Sequence, residues 1–199
     1  MKAITVVLPT LTARRERLRK TLAAYARTTP GCRFVTVENR PTCGEAWDIG
    51  ARMLDGAYLH FGADDLEPHA GWWEPLVEAV DAGMNPCPVV LAPDGKVESC
   101  GAIGWNLQTE LRPDWAPVEW SPVPFLSARH WQIVGHVPHE LHYCTDTWVS
   151  ARLARAGIPT VVRDSSRFTH HNAPAGRGAG MDIHARNLFD RAAYAAMAA

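Results

Sequence analysis

The hydrophobic pattern changes period several times along the chain. Ile4 to Leu8 is a largely apolar, β-branched run closed by Pro9, the pattern of a strand buried on both faces. From Thr12 onward Leu18, Leu22, Tyr25 and Ala26 recur at helical spacing, arginines fill the other face, and Pro30-Gly31 stops the segment. Arg33 to Glu38 reads as a second strand. Ala46, Ile49, Gly50, Met53 and Leu54 trace a second amphipathic helix before Asp55-Gly56, and Ala57 to Phe61 is a third strand. Strands alternating with helices predict a parallel sheet in an α/β fold, a three-layer α/β/α sandwich, over roughly residues 1–85.

Beyond that point the pattern loosens. Val89 to Leu91 and Lys96 to Ile103 flank a Pro-Asp-Gly turn and predict a hairpin. A proline- and tryptophan-rich stretch follows from Trp105 to Pro124. Val123 to Leu126 reads as a strand, Thr145 to Ala156 as a helix ended by Gly157, Thr160 to Arg163 as a strand and Asp182 to Met197 as a terminal helix. The expected organisation is one domain: a Rossmann-like nucleotide-binding half over 1–85, an α+β acceptor-binding and catalytic half over 86–180, and a C-terminal helix over 181–199.

Length and composition fit this picture. A chain of 199 residues buries a substantial core without disulfides. With a formal charge of −1 nothing draws it globally to nucleic acid or membrane, so any anion binding has to be local. Cys32, Cys43, Cys87, Cys100 and Cys144 are scattered, without a C-x-x-C pair, which suits a reducing, cytoplasmic setting. No apolar run approaches the roughly 18 residues of a membrane span, and no targeting segment is expected.

Ligands of open α/β sheets bind beyond the carboxyl ends of the strands. Three predicted strands deliver polar groups to that edge: Pro9-Thr10, Glu38 and Asp64-Asp65. The two acids have a bland alternative as caps of a helix near Glu74-Pro75. Against it, they follow a buried strand, where an unpaired carboxylate is costly unless a cation or donor meets it. Neighbours on an extended strand face opposite ways, so both serve one ligand only if the chain turns, which Gly62 eases. A hard cation takes one or two carboxylates and completes its shell with water and phosphate oxygens.

Several segments, in order, resemble one family. They are Val6-Val7-Leu8-Pro9-Thr10, Asp48-Ile49-Gly50, the stretch YLHFGADD over 58–65, Cys144-Thr145-Asp146-Thr147-Trp148 followed by Arg152 to Gly157, and His170-His171. Together they are similar to GT-A-fold glycosyltransferases of the inverting family 2 type. The resemblance implies a nucleotide-diphospho-sugar donor, UDP-linked, and a divalent cation, Mn2+ or Mg2+. It implies that Asp65 with His170 or His171, the former preferred, holds the metal. Pro9, Thr10, Arg14, Glu38, Asp48 and Asp64 would face the donor, with Arg177 of the Gly-rich segment 173–180 reaching phosphate; that segment also reads as a plain linker to the last helix. Asp146 would be the general base, although an acid in a first helical turn is also favoured by the helix dipole. The chain departs from the family pattern in three places. Ala63 stands where the first acid of a D-x-D motif is expected, Glu38 stands for an aspartate, and Trp47 replaces a basic residue.

Indole faces suit the apolar faces of sugars, so Trp105, Trp120 and Trp131, with His139, are the expected acceptor contacts, alongside the packing roles most tryptophans serve. The acceptor's hydroxyl stays open: a glycan, lipid, protein or modified nucleic-acid base. Two other activities stay open as well, a non-catalytic nucleotide-sugar or glycan-binding module and a nucleotidyltransferase, which would also use metal-bound carboxylates.

Overall fold

The computed structural model describes residues 3–171 and 183–198. Its first sheet is built on β1 (Ile4–Thr10), which runs parallel to β2 (Arg33–Glu38) on one side and β3 (Tyr58–Phe61) on the other, with Val7 opposite Val35 and Phe61. After β1 a single 3-10 turn (Thr12–Arg14) leads into α1 (Arg15–Thr28), and α2 (Cys43–Ala51) joins β2 to β3. The Thr42 side chain caps α2 by accepting from the Glu45 N–H at 3.1 Å.

The period-2 alternation of β1 divides two cores. Ile4, Val6 and Leu8 pack with Leu18 and Tyr25 of α1 and with Trp72 and Leu76, while Val7 packs with Val35, Val37, Ala46 and Trp47 on the α2 side. Each such fully buried side chain stabilises the fold by about 1.5–3 kcal/mol. The α2 side is close-fitting: a Cβ on Gly50 would stand 2.3 Å from Val7 Cγ1, so glycine lets the helix lie against the strand.

The chain then turns through β4 (Leu66–Pro68), α3 (Glu74–Asp81), β5 (Asn85–Leu91) and β6 (Val97–Ser99). A small ribbon of β7 (Ala102–Ile103) and β8 (Asn106–Leu107) precedes β9 (Pro117–Val118), β10 (Phe125–Ser127), α4 (Ala128–Val134), α5 (Thr145–Arg155), β11 (Thr160–His170) and α6 (Ile183–Ala198). The second sheet has the order β4-β11-β5-β6, with β9 also on β11, and β10 adds antiparallel to β3 in the first sheet. Each sheet therefore draws strands from both sides of residue 85. Among the described residues no helix is long and apolar enough to cross a membrane.

Four elements differ from the sequence reading. The strand expected to end at Arg163 runs on to His170, because a bulge between Arg163 and Arg167 takes up the polar residues that break the pattern. Arg163 itself is buried: its guanidinium pairs with Asp114 at 3.0 Å and Glu78 at 2.8 Å, donates to the Pro75 carbonyl at 2.6 Å and stacks on Trp115. The second hairpin arm is cut short, since Gly101, at φ +100°, turns the chain tightly against Val118 and starts the separate β7–β8 ribbon. The short elements β4 and α4 have no clear periodicity to announce them.

Candidate active site

The β1, β2 and β3 ends lie side by side, so Thr10, Glu38 and the turn after Phe61 share one edge. Gly62 makes that turn possible. Its N–H donates to the Val7 carbonyl at 3.0 Å, and a Cβ there would meet Leu8 Cδ2 and the Tyr25 hydroxyl, each at 2.9 Å.

The turn folds both acids toward one cation. Asp64 is buried and accepts from Thr10 Oγ1 at 2.6 Å, while its backbone carbonyl accepts from Thr21 Oγ1 at 2.7 Å. Arg14 Nη2 stands 2.8 Å from Asp64 Oδ1 and 2.7 Å from Asp65 Oδ2. Burial pushes the Asp64 carboxyl above the usual range, against the opposing pull of the Thr10 hydrogen bond and the Arg14 and Arg17 charges. The acids are therefore paired rather than caps of α3, whose N-cap is Trp73.

The far end of β11 completes this corner. His170 Nε2 lies 3.7 Å from Asp65 Oδ1, and its Nδ1 lies 3.0 Å from Glu98 Oε1. The two histidines part company here: the His171 ring pairs with Glu67 at 2.9 Å, while its backbone N–H donates to the Asp65 carbonyl at 2.8 Å. Arg17 donates to the His171 carbonyl.

A cavity of about 350 Å³ opens beside this corner, lined by Trp47, Gly62, Ala63, Glu98, Trp120, Tyr143, Asp146 and His170 among others. Asp146 is half-buried in the first turn of α5. Its Oδ1 accepts the Thr147 N–H at 2.7 Å, and no basic side chain pairs with it among the described residues. Burial pushes its carboxyl up to about 7, against the pull of the Thr147 bonds. The loop before it is held from α6, where buried Asp190 accepts the His142 and Tyr143 N–H groups at 2.7 and 2.5 Å. Leu141, Cys144 and Trp148 pack there with Tyr194.

The remaining expected site residues fall in distinct places. Pro9 lies on β1 opposite Val37. Glu38 at the end of β2 accepts from Thr12 Oγ1 and Arg15, both at 3.3 Å, next to Asn39, whose Oδ1 accepts the Thr12 N–H at 2.9 Å. Asp48 is buried and joined to His139 Nε2 at 3.1 Å, to Arg52 at 2.7 Å and to the Val137 N–H at 3.4 Å, so a residue expected at the donor and one expected at the acceptor meet each other. Burial opposes ionisation of Asp48, and those three bonds outweigh it and hold its carboxyl below the usual range. Trp120 lines the cavity of Asp146 and also a second one, of about 520 Å³, with Trp105, Glu119, Thr147 and Tyr194. Trp131 lines neither cavity. Its ring packs edge-on against Phe61 at 5.7 Å, in the α2-side core. Arg177 lies outside the described residues.

Two residues at this site carry no signal in the sequence pattern, Glu98 and Tyr143. Only the pairing of β6 with β5 and the docking of α6 bring them in.

Comparisons with known proteins bear on the family and the fold. A family model described as Glycosyl transferase family 2 matches residues 13–121, more than half of the chain. No curated protein sequence matches. Among solved structures, GalNAc-T7 with UDP, GalNAc and Mn2+ superposes with a TM-score of 0.69 at 16% identity, over 92% of this chain and 46% of that one. S. aureus TarS does so at 0.62 and 12%, over 87% of this chain and 37% of that one. Its 1–349 form gives 0.62 and 10%, over 86% and 60%. At these identities the likeness is one of fold, and the chain spans less than two thirds of each of these proteins.

Proposed function

The chain belongs to glycosyl transferase family 2, and from that premise we propose that it moves a sugar from a nucleotide-diphospho-sugar, UDP-linked, to an acceptor hydroxyl, inverting the anomeric carbon with the help of Mn2+ or Mg2+. One observation carries the reading: Asp146, its carboxyl pushed up to about 7, faces the same cavity as His170 and the turn that leads into Asp64-Asp65.

In this reading the donor diphosphate lies toward Thr10, Arg14 and the two acids, Asp64 meets the donor's sugar or ribose, and Glu38 faces the nucleobase beyond Pro9. The acceptor hydroxyl sits beside Asp146, which takes its proton as the oxygen bonds to the anomeric carbon. The bond from that carbon to the diphosphate breaks on the opposite side, and nucleoside diphosphate leaves. A carboxylate near the reacting carbon also favours its oxocarbenium-like charge.

Asp65 and His170 fit a divalent cation. They offer one oxygen and one nitrogen 3.7 Å apart, and a hard cation completes its shell with water and phosphate oxygens. When bound, the cation offsets negative charge on the leaving diphosphate. Trp120 and Trp105 serve the acceptor, while Asp48 and His139 position the 137–142 segment that leads to Asp146. Five free cysteines support a cytoplasmic location.

The test is a thermal-shift panel of UDP- and other nucleotide-sugars with and without Mn2+, since a ligand at about 100 times Kd adds ~2.7 kcal/mol. Silence from every donor with metal present sinks the reading. Ala63, and the engagement of both acids by Arg14, favour as a second reading a binding module without transfer. Donor binding without product would select it, and release of pyrophosphate instead of nucleoside diphosphate would select nucleotidyl transfer.

A further inference from the structure

Glu98 occupies a position that the pairing of β5 and β6 singles out. Val90 pairs with Ser99 and Leu91 with Val97, so two consecutive residues of β5 face Val97 and Ser99, and Glu98 is the extra residue of a β-bulge. Bulges bend a strand and re-aim a side chain, and they recur beside active sites. Here the re-aimed side chain lines the cavity and places both oxygens on His170 Nδ1, at 3.0 and 3.2 Å.

The consequence lies in the imidazole. An ionised carboxylate only accepts, so the ring nitrogen it faces carries the proton, and in the neutral ring the other nitrogen keeps its lone pair. That other nitrogen, Nε2, points toward Asp65 Oδ1 at 3.7 Å, beyond hydrogen-bond reach. Two electron-pair donors thus face each other across a gap. With donor-to-metal distances of about 2.1 Å, one ion spans such a gap.

We propose that Glu98 is a positioning residue: through His170 Nδ1 it fixes the tautomer and the ring plane that aim Nε2 at Asp65. This rests on the reading that Asp65 and His170 bind a divalent cation. Carboxylates behind ligating histidines typically contribute 10- to 100-fold in metal affinity. Glu98 is half-buried on a short hairpin, so its substitution is compatible with folding.

The test compares four proteins, native, E98A, E98Q and H170A, each checked for cooperative unfolding. Mn2+ affinity is read by EPR of the free ion, without donor or acceptor. In parallel, long-range proton–nitrogen NMR of the metal-free proteins at pH 8 reads the His170 tautomer. Glu98→Ala is expected to weaken Mn2+ binding about 10-fold or more and to shift the ring from the Nδ1–H form toward Nε2–H. Glu98→Gln, whose amide oxygen still accepts, should stay within about threefold of native. If His170→Ala loses Mn2+ while Glu98→Ala binds as native, the metal reading stands and the role of Glu98 is overturned. If His170→Ala also binds as native, His170 is no ligand and the proposal falls with the metal reading.

Discussion

Arg14 sits between Asp64 and Asp65: a single guanidinium nitrogen lies 2.8 Å from one carboxylate and 2.7 Å from the other. A basic residue on the 3-10 turn after β1 thus pairs with two acids after β3, one of them almost wholly buried, and keeps the turn at the strand ends folded inward.

Removing that cation leaves Asp64 with Thr10 as its principal partner. Arg14→Ala is expected to destabilise the protein by about 1–3 kcal/mol, the range for stranding a buried polar group. The sign with pH follows from the raised Asp64 carboxyl. The folded state favours its neutral form, so stability falls as pH climbs above the unfolded value, and without Arg14 it falls further. Urea melts at pH 4 and pH 8 should show the larger loss at pH 8; equal losses would contradict the pairing.

Asp146→Asn should lower kcat by about 10²–10⁴-fold while leaving donor binding within error, as expected for loss of a general base. In the native enzyme kcat/KM, which reports ionisations of the free enzyme, should rise through pH of about 7, where Asp146 loses its proton. The same carboxyl titrates lower when unfolded, so between about 4 and 7 the folded state holds the extra proton and rising pH destabilises it. The asparagine variant should therefore be the more stable protein at pH 8, by ~1–3 kcal/mol, as calorimetry can measure.

Gly62→Ala places a methyl 2.9 Å from both Leu8 Cδ2 and the Tyr25 hydroxyl. Overpacking of this kind costs about 1–3 kcal/mol. Because relief requires the turn to shift, Mn2+ affinity should weaken together with stability. Unchanged affinity in a destabilised variant would show that the acids are positioned independently of Gly62.

His60 is enclosed by Tyr25, Trp72, Phe125 and Phe168, and burial pushes its pKa down to about 3. Its Nδ1 lies 3.3 Å from the Pro124 carbonyl, so the proton is there and Nε2 accepts from the Tyr25 hydroxyl at 2.8 Å. Unfolded, the ring takes up a proton near pH 6.5, so its contribution is complete above that value and is lost as pH falls toward 3. His60→Phe should flatten the acid limb of a stability–pH curve between pH 6 and 3, removing on the order of 2–4 kcal/mol of the stability lost across that window.

Local periodicity by itself determined the first sheet and its helices. Residues two apart on β1 and three or four apart on α1 report their own burial, so Ile4–Leu8, Arg33–Glu38 and the Leu18–Tyr25 face were legible, as was the convergence of strand ends on Asp64-Asp65. The tertiary structure decided what depends on distant partners. Asp65 meets His170, and Glu98 meets His170, only because β11 pairs with both β4 and β5 and a bulge re-aims Glu98. Asp48 turns to His139, Trp131 to Phe61, and Asp146 acquires its raised carboxyl, for the same reason. Burial and charge at these positions are set by neighbours remote in sequence, and a period of two or 3.6 residues carries no record of them.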